Sequence, residues 1–413
     1  MSLNKKVLLM LGAGLAFGML IQRLGMESLF GMVRDIGVLG TVWTNAMVMT
    51  VVPLVIAATV ATLAAAPSAR DVGRVAAPTL AGYALLLLAA ATLTVLLASV
   101  FLPLIRVAGW GGPSTMEAAT GLGTASAEPY SIAQWFTSLV PSNAVDSAVD
   151  GRLFQVIVFS LALGAAATQV SAESRGTLVR MFDGVSRALL KVADMIYSVA
   201  PLAVFILALG LGVRLGVGAA GPAAVFIVLV GMTCLVLGIL LYPVAAGFGG
   251  VSLSLFARAC LGAQVTAALT RSARTALPLM VSSAERELGI QPSVARTVLP
   301  IGESIFSAFA VVSQTAGVLV LAHLYQVELP SLLLVSLVAT ATFTSLRAGD
   351  IPFGSTLVMA PFYLSAGIPA EGIGVLIGIE AIPRTVGSAL NVTGHMAVAT
   401  VVARRASATR KAA

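Results

Sequence analysis

Arg274, Arg347 and Arg384 interrupt stretches of the sequence that are otherwise apolar, and so do Glu303, Asp350, Glu380 and His395. A guanidinium is a rigid fork of N–H donors that matches a carboxylate two bonds at a time. Three of them in apolar surroundings point to recognition of a small organic anion. Imidazole is the side chain that changes charge near neutral pH, so His395, with Glu303 and Glu380, is a candidate for proton coupling. If these stretches lie in a membrane, an unpaired charge there costs about 2.5–3.5 kcal/mol on insertion scales. Each charge must then pair, face water or bind something. Two pairings satisfy the set internally, Arg384 with Asp350 and Arg347 with Glu303. The other reading keeps a guanidinium for the ligand, and both hold in turn if the ligand displaces an internal partner. No Ser/His/Asp arrangement, metal-ligand cluster or phosphate-binding loop stands in consistent context. The expectation is a protein that is not an enzyme and has no cofactor and no metal. Cys234 and Cys260 sit in apolar surroundings and read as small core residues.

The elements that hold these residues must be membrane spans. Of 413 residues, 58% are hydrophobic and 10% charged, where soluble domains carry about 25% charged. A water-facing surface of this size could not be covered, so lipid is the outer solvent. Six spans are expected at about 5–24, 36–66, 75–105, 153–171, 180–212 and 221–247, each long enough for a hydrocarbon core of roughly 30 Å. The apolar run Val7 to Leu20 behind Lys5 and Lys6 resembles a signal peptide, but no small-residue cleavage site follows it, and it reads as the first span. Arg70 and Arg74, then Arg175, Arg180, Arg187 and Lys191, mark cytoplasmic loops. Between Arg106 and Arg152 there is no Lys or Arg, while Glu117, Glu128, Asp146 and Asp150 occur, so that segment reads as outside, with Trp110 and Trp135 as interfacial anchors or loop packing. Both termini then face the cytoplasm of a multi-pass protein of the cell (inner) membrane. The net charge of +7 reflects orientation, including the tail with Arg404, Arg405, Arg410 and Lys411, rather than a nucleic-acid partner.

After about residue 250 the pattern changes. An apolar half-stretch over 252–270 meets Arg271-Ser272-Ala273-Arg274-Thr275 and resumes to Ser283. A second, 331–345, meets Leu346-Arg347-Ala348-Gly349-Asp350-Ile351-Pro352 and resumes from Phe353 to Ser365. Each half is too short to span alone, which predicts helical hairpins that enter and leave on one side. Full spans are expected after each, at about 293–324 and 370–403. Paired broken segments of this kind point to a substrate site between inverted repeats. The tips supply candidate binding residues: Ser272 and Arg274 from the first, Arg347, Gly349, Asp350 and Pro352 from the second.

This order of six spans, hairpin, span, hairpin, span resembles the dicarboxylate/amino acid:cation symporters, the glutamate-transporter homologues. The likeness is carried by Met47 to Ile56, Val140-Pro141-Ser142-Asn143, Ala200-Pro201-Leu202-Ala203-Val204-Phe205, Thr270-Arg271-Ser272, Leu299-Pro300-Ile301-Gly302 and Asn391-Val392-Thr393-Gly394. It covers essentially the whole chain. It implies an all-α membrane protein with eight transmembrane helices and two re-entrant hairpins, the elevator fold, assembled as a homotrimer. It also implies a division of the chain: 1–72 scaffold spans one and two, 73–106 a transport-domain span, 107–212 the outer loop and scaffold spans four and five, 213–403 the rest of the transport domain, and 404–413 a basic cytoplasmic tail.

The departures from that family carry as much information. Where it has the sodium-binding Asn-Met-Asp-Gly-Thr, this chain has Phe306-Ser307-Ala308-Phe309-Ala310. Its sodium-binding Tyr, Thr and Ser on span three correspond to Ala84, Leu87 and Leu88, and its last Asp ligand corresponds to His395. Hard cations need oxygen ligands, several of them anionic, so loss of sodium coupling is expected. In the family's substrate site an Asp holds the amine and an Arg the distal carboxylate; here these positions are Arg384 and Gly387, followed by Ser388 and a retained Asn391. Arg384 in place of the amine-binding Asp favours a mono- or dicarboxylate without an amine. A dianion entering a cell at −100 mV without a coupling ion faces about 4.6 kcal/mol, which leaves proton coupling, exchange or uncoupled export. The expected function is therefore a secondary transporter of a small organic anion. An anion-conducting channel or a transport-dead scaffold with the same fold are the alternatives.

Overall fold

A computed structural model describes residues 3–65, 76–105, 140–150, 152–215, 220–345, 356, 358–366, 368 and 370–411. The stretch expected as a second hairpin tip, with Arg347, Gly349, Asp350 and Pro352, lies outside the described residues, as do Arg70, Arg74, Glu117, Glu128, Trp110 and Trp135. All regular structure among the described residues is helical.

The first helix α1 (Leu3–Arg23) is followed by α2 (Glu27–Ala65), α3 (Ala76–Phe101), a short α4 (Ala144–Val149), α5 (Leu153–Ala167), α6 (Ala172–Tyr197), α7 (Ala200–Leu215) and α8 (Ala220–Gly249). The second half holds α9 (Leu253–Thr270), α10 (Ala273–Arg286), α11 (Pro292–Ile305), α12 (Ala308–Leu324), α13 (Ser331–Thr344), α14 (Ala360–Ser365), α15 (Ala370–Ile379) and α16 (Arg384–Lys411). Six described stretches are helical, long and apolar enough to cross a membrane: α2, α3, α8, α9, α11 with α12, and α16; the bent α6–α7 pair makes a seventh. The chain is an integral membrane protein. Large apolar side chains such as Phe17, Leu85, Val100, Ile239 and Phe248 stand exposed on α1, α3 and α8, a surface that only lipid tolerates.

Three expected spans are broken. The span expected over 180–212 is two helices bent by 57° at Ser198 and Val199. Pro201, in the first turn of α7, has no N–H to continue the ladder from α6. The span expected over 293–324 breaks at Phe306 and Ser307, both extended, with φ of −116° and −135°. The span expected over 370–403 breaks at 380–383, a turn that ends in Pro383 ahead of α16. In the other direction, α2 starts nine residues earlier than the expected 36 and runs for 39 residues through Pro53. The expected basic tail continues α16 as helix to Lys411.

Two groups of helices pack among themselves. In one, α1 lies on α7, and α2 on α5, α6 and α7. Gly18 and Gly212 meet at the α1–α7 crossing, where a Cβ on either would overlap the opposing backbone, the close approach that small residues allow in membranes. In the other group α3, α8 and α16 pack on α12, α9, α10 and α11 pack on α16, and α13 joins at α3 and α12. Every residue of α12 except His323 is buried, as expected of a helix that is apolar all round. α13, α14 and α15 also touch the first group.

Candidate functional site

The reversal between α9 and α10 is made by Arg271, a non-glycine residue in the left-handed region at φ 54° and ψ 34°. That conformation is uncommon outside glycine. It turns the chain within two residues, so that Ser272 and Arg274 open α10 beside the end of α9. Opposite them, α16 carries Arg384, Ser388, Asn391 and His395 at intervals of four, three and four residues, which places them on one face. The α11–α12 break supplies the third wall.

These elements enclose a cavity of about 170 Å³ lined by Arg271, Ser272, Arg274, Glu303, Ser304, Ser307, Phe309, Ser345, Arg384, Ser388 and Asn391, with a few small and apolar neighbours. Among the described residues three guanidiniums face one carboxylate, so this part of the lining is cationic on balance. Five of the described residues expected at the substrate site, Ser272, Arg274, Arg384, Ser388 and Asn391, come together here, with Glu303 from the proton-coupling set. His395 lies behind the lining and Glu380 beside it.

Arg384 does not need Asp350. Its Nη2 lies 2.7 Å from Glu380 Oε1, one helical spacing before it. The other oxygen, Oε2, accepts the backbone N–H of Thr356 at 3.1 Å. Glu380 has no exposed surface, and both of its oxygens are held. The Arg384 guanidinium also lies 5.2 Å from the centre of the Phe309 ring, within cation–π range. Glu303 likewise has partners other than Arg347. Its Oε1 is 3.9 Å from Arg274 Nε and its Oε2 3.4 Å from His395 Nε2.

The α11–α12 break is satisfied by protein groups. Ser307 Oγ accepts the N–H of Ala310 at 3.2 Å, capping α12. Asn391 Oδ1 accepts the N–H of Phe309 at 3.0 Å, and its Nδ2 donates to Ser307 Oγ at 3.1 Å. The one side-chain amide retained from the family's pattern is thus turned to the backbone. Phe306 stacks on Tyr83 with ring centres 4.6 Å apart. Ala308 is a buried methyl group. The residues here do not fit a sodium ion: the stretch brings no carboxylate, and aromatic rings and internal hydrogen bonds occupy the break.

The Phe309 ring lies on Gly387, where a Cβ would overlap it. By the resemblance, these two positions correspond to a glycine and an arginine of the family; here the ring of Phe309 fills the space beside Gly387.

Tyr83, Ser307, Phe309 and Arg271 are site residues that sequence reasoning missed. Tyr83 had no visible signal, because it meets its partners only in space. It donates to the carbonyl of Val298 at 3.2 Å and packs edge-on to His395 at 5.5 Å. Gly302 makes room for both, since a Cβ there would overlap the Tyr83 hydroxyl.

The family model described as "Sodium:dicarboxylate symporter family" matches residues 3–405. The chain is 28% identical over 368 residues to the proton/glutamate-aspartate symporter of Escherichia coli K12, covering 88% of this chain and 84% of that protein. It is 25% identical over 375 residues to the proton/sodium-glutamate symport protein of Bacillus subtilis 168, covering 89% and 85%. It is 25% identical over 377 residues to the C4-dicarboxylate transport protein of Laribacter hongkongensis, covering 89% and 82%.

Proposed function

The chain belongs to the sodium:dicarboxylate symporter family, is a transporter and not an enzyme, and from that premise we propose that it carries a small carboxylate-bearing anion without sodium. The observation that carries this reading is the cationic cavity with Arg384 and Arg274 in its wall. In a site of low dielectric a guanidinium fork binds a carboxylate in a fixed orientation. Ser272, Ser388 and the start of α10 add hydroxyl and N–H donors around it. Relatives named for glutamate-aspartate and C4-dicarboxylates bracket the substrate class. Arg384 at the family's amine-binding position favours the C4 dicarboxylate end of that range, or a monocarboxylate. Arg347, Gly349, Asp350 and Pro352 complete the site from the second hairpin tip in this reading.

The mechanism we favour is an elevator. Helices α3, α8 to α12 and α16, which pack on one another, move as the transport domain against α1, α2 and α5 to α7 as scaffold. A homotrimer in the cell membrane with both termini cytoplasmic fits the resemblance and the loop charges. Fixed guanidiniums take over the charge balance that sodium provides elsewhere in the family.

Purified protein in liposomes tests the reading. Labelled succinate taken up against an internal succinate load, saturably and equally in sodium and choline buffers, is the expected result. Current proportional to concentration without counterflow would make the protein a channel and overturn it.

A further inference from the structure

His395 is 2% exposed, and both of its ring nitrogens lie buried without a hydrogen-bond partner among the described residues. A neutral imidazole has a donor and an acceptor to satisfy, and burial normally satisfies both. Its nearest charged neighbour is Glu303, whose Oε2 is 3.4 Å from Nε2 without hydrogen-bond geometry. The Glu303 side chain is 12% exposed and lines the cavity, where Arg274 lies 3.9 Å from its other oxygen. Glu303 is thus the partition between a wet, cationic cavity and a dry imidazole. Resting on the carrier reading above, we propose that Glu303 and His395 form one protonation site, and that capture of an anion by Arg274 loads it with a single proton.

The charges balance as follows. With the cavity free of anion, Glu303 is a carboxylate facing the Arg274 cation, and His395 is neutral. An incoming carboxylate turns the guanidinium toward itself, and Glu303 loses its counter-charge. A hydronium ion reaching the cavity from solution then gives up a proton, breaking one O–H bond and becoming water, and the proton passes by way of Glu303 to His395, forming an N–H bond and leaving an imidazolium against the Glu303 carboxylate. Release of the anion on the other side restores Arg274 to Glu303, and the proton leaves. By linkage the anion favours the proton as much as the proton favours the anion.

The surroundings of His395 allow this. On α3, Tyr83 faces the ring edge-on, with its hydroxyl proton given to Val298. On α11 the facing group is Glu303, and on α10 Arg274 reaches that carboxylate. α8 has no Asp, Glu, Lys, Arg or His, and carries Cys234; α9 carries Cys260 and an exposed Arg258; α12 carries only His323, at its far end. On α16 itself the nearest charges are Arg404, nine residues on, and Arg384, three turns back. Among the described residues the other carboxylate beside the cavity is Glu380, already held by Arg384 and Thr356.

Calorimetric titration of the purified full-length protein with succinate and with L-aspartate, between about pH 5.5 and 8 and in buffers of different ionisation enthalpy, counts the protons taken up. About one proton per anion is expected, with affinity weakening about tenfold per pH unit once the site titrates above its midpoint. Glu303→Gln, His395→Gln and the double variant should each bind without proton uptake and with an affinity that no longer varies with pH. Melting and gel-filtration profiles report whether each variant folds, and Glu303→Gln, at the cavity wall, stands in if His395→Gln does not. Wild-type binding without proton uptake would overturn the protonation site and leave the carrier intact. A proton still taken up by a folded variant would do the same. Failure of both anions to bind wild-type protein at any pH would overturn the carrier reading and the site together.

Discussion

On one side of the cavity, Glu380 gives one oxygen to Arg384 at 2.7 Å and the other to the Thr356 amide at 3.1 Å, with no exposed surface. On the other side, Glu303 lies 3.9 Å from Arg274 and 3.4 Å from His395, and the imidazole is left without hydrogen bonds. Both sides bury a carboxylate near a guanidinium. The first saturates it, so a change of charge there costs the whole pair. The second leaves it under-coordinated and next to water, so its charge state follows whatever occupies the cavity. A closed pair makes a strut that aims Arg384, and an open one makes a device that answers to ligand.

The sharpest way to break that contrast is Arg384→Ala. It removes the strut's cation and leaves Glu380 buried and charged, which costs about 3–5 kcal/mol when one partner of a buried pair is lost. A clear drop in melting temperature and loss of succinate binding are expected. Arg384→Ala with Glu380→Gln should regain stability but not binding. An Arg384→Ala protein as stable as wild type would show that the pair is no strut.

Next is Gly387→Arg, which puts the family's arginine back where Phe309 now lies. Overpacking of this kind costs about 1–3 kcal/mol, read as a lower melting temperature. Adding Phe309→Gly should recover it. Lack of recovery would mean that the two positions do not share one space.

Asn391→Ala should cost about 1–2 kcal/mol, because it strips the Phe309 N–H and Ser307 of partners at the α11–α12 break. The loss should be the same in sodium and choline. Rescue by sodium would show that a cation takes the place of the amide.

The smallest effect sharpens the comparison most. Replacing sodium by choline should leave wild-type succinate affinity unchanged in calorimetry, while lowering the pH strengthens it. A sodium-dependent affinity would move the switch from the Glu303 side to a cation site.

Much of this was legible in the sequence, and the misses are instructive. The hairpin break at Arg271-Ser272 was visible because charged and small residues cannot continue an apolar helix through lipid. The break at 306–307 was marked only by the resemblance, because no proline or charge interrupts it and its hydrogen bonds come from Asn391, 82 residues away along the chain from Phe309. Pro300 shows why proline alone is a poor guide, since it sits inside α11. The Glu380–Arg384 spacing was a missed signal. Residues four apart stay neighbours where the chain keeps a helical turn, and the turn at 380–383 brings this pair together. Phe309 and Gly387 were each visible as departures, but their contact was not.

The sequence by itself determined the solvent, the approximate spans and the class of ligand. Those follow from residue types and run lengths: apolar runs must meet lipid, and guanidiniums retained among them must meet anions. Only the tertiary structure decided which charge answers to which, and which polar groups are left over. The energy of a buried charge depends on the distance and number of its partners, and residues such as Tyr83, Gly302 and His395, far apart in the chain, acquire those only when the helices pack.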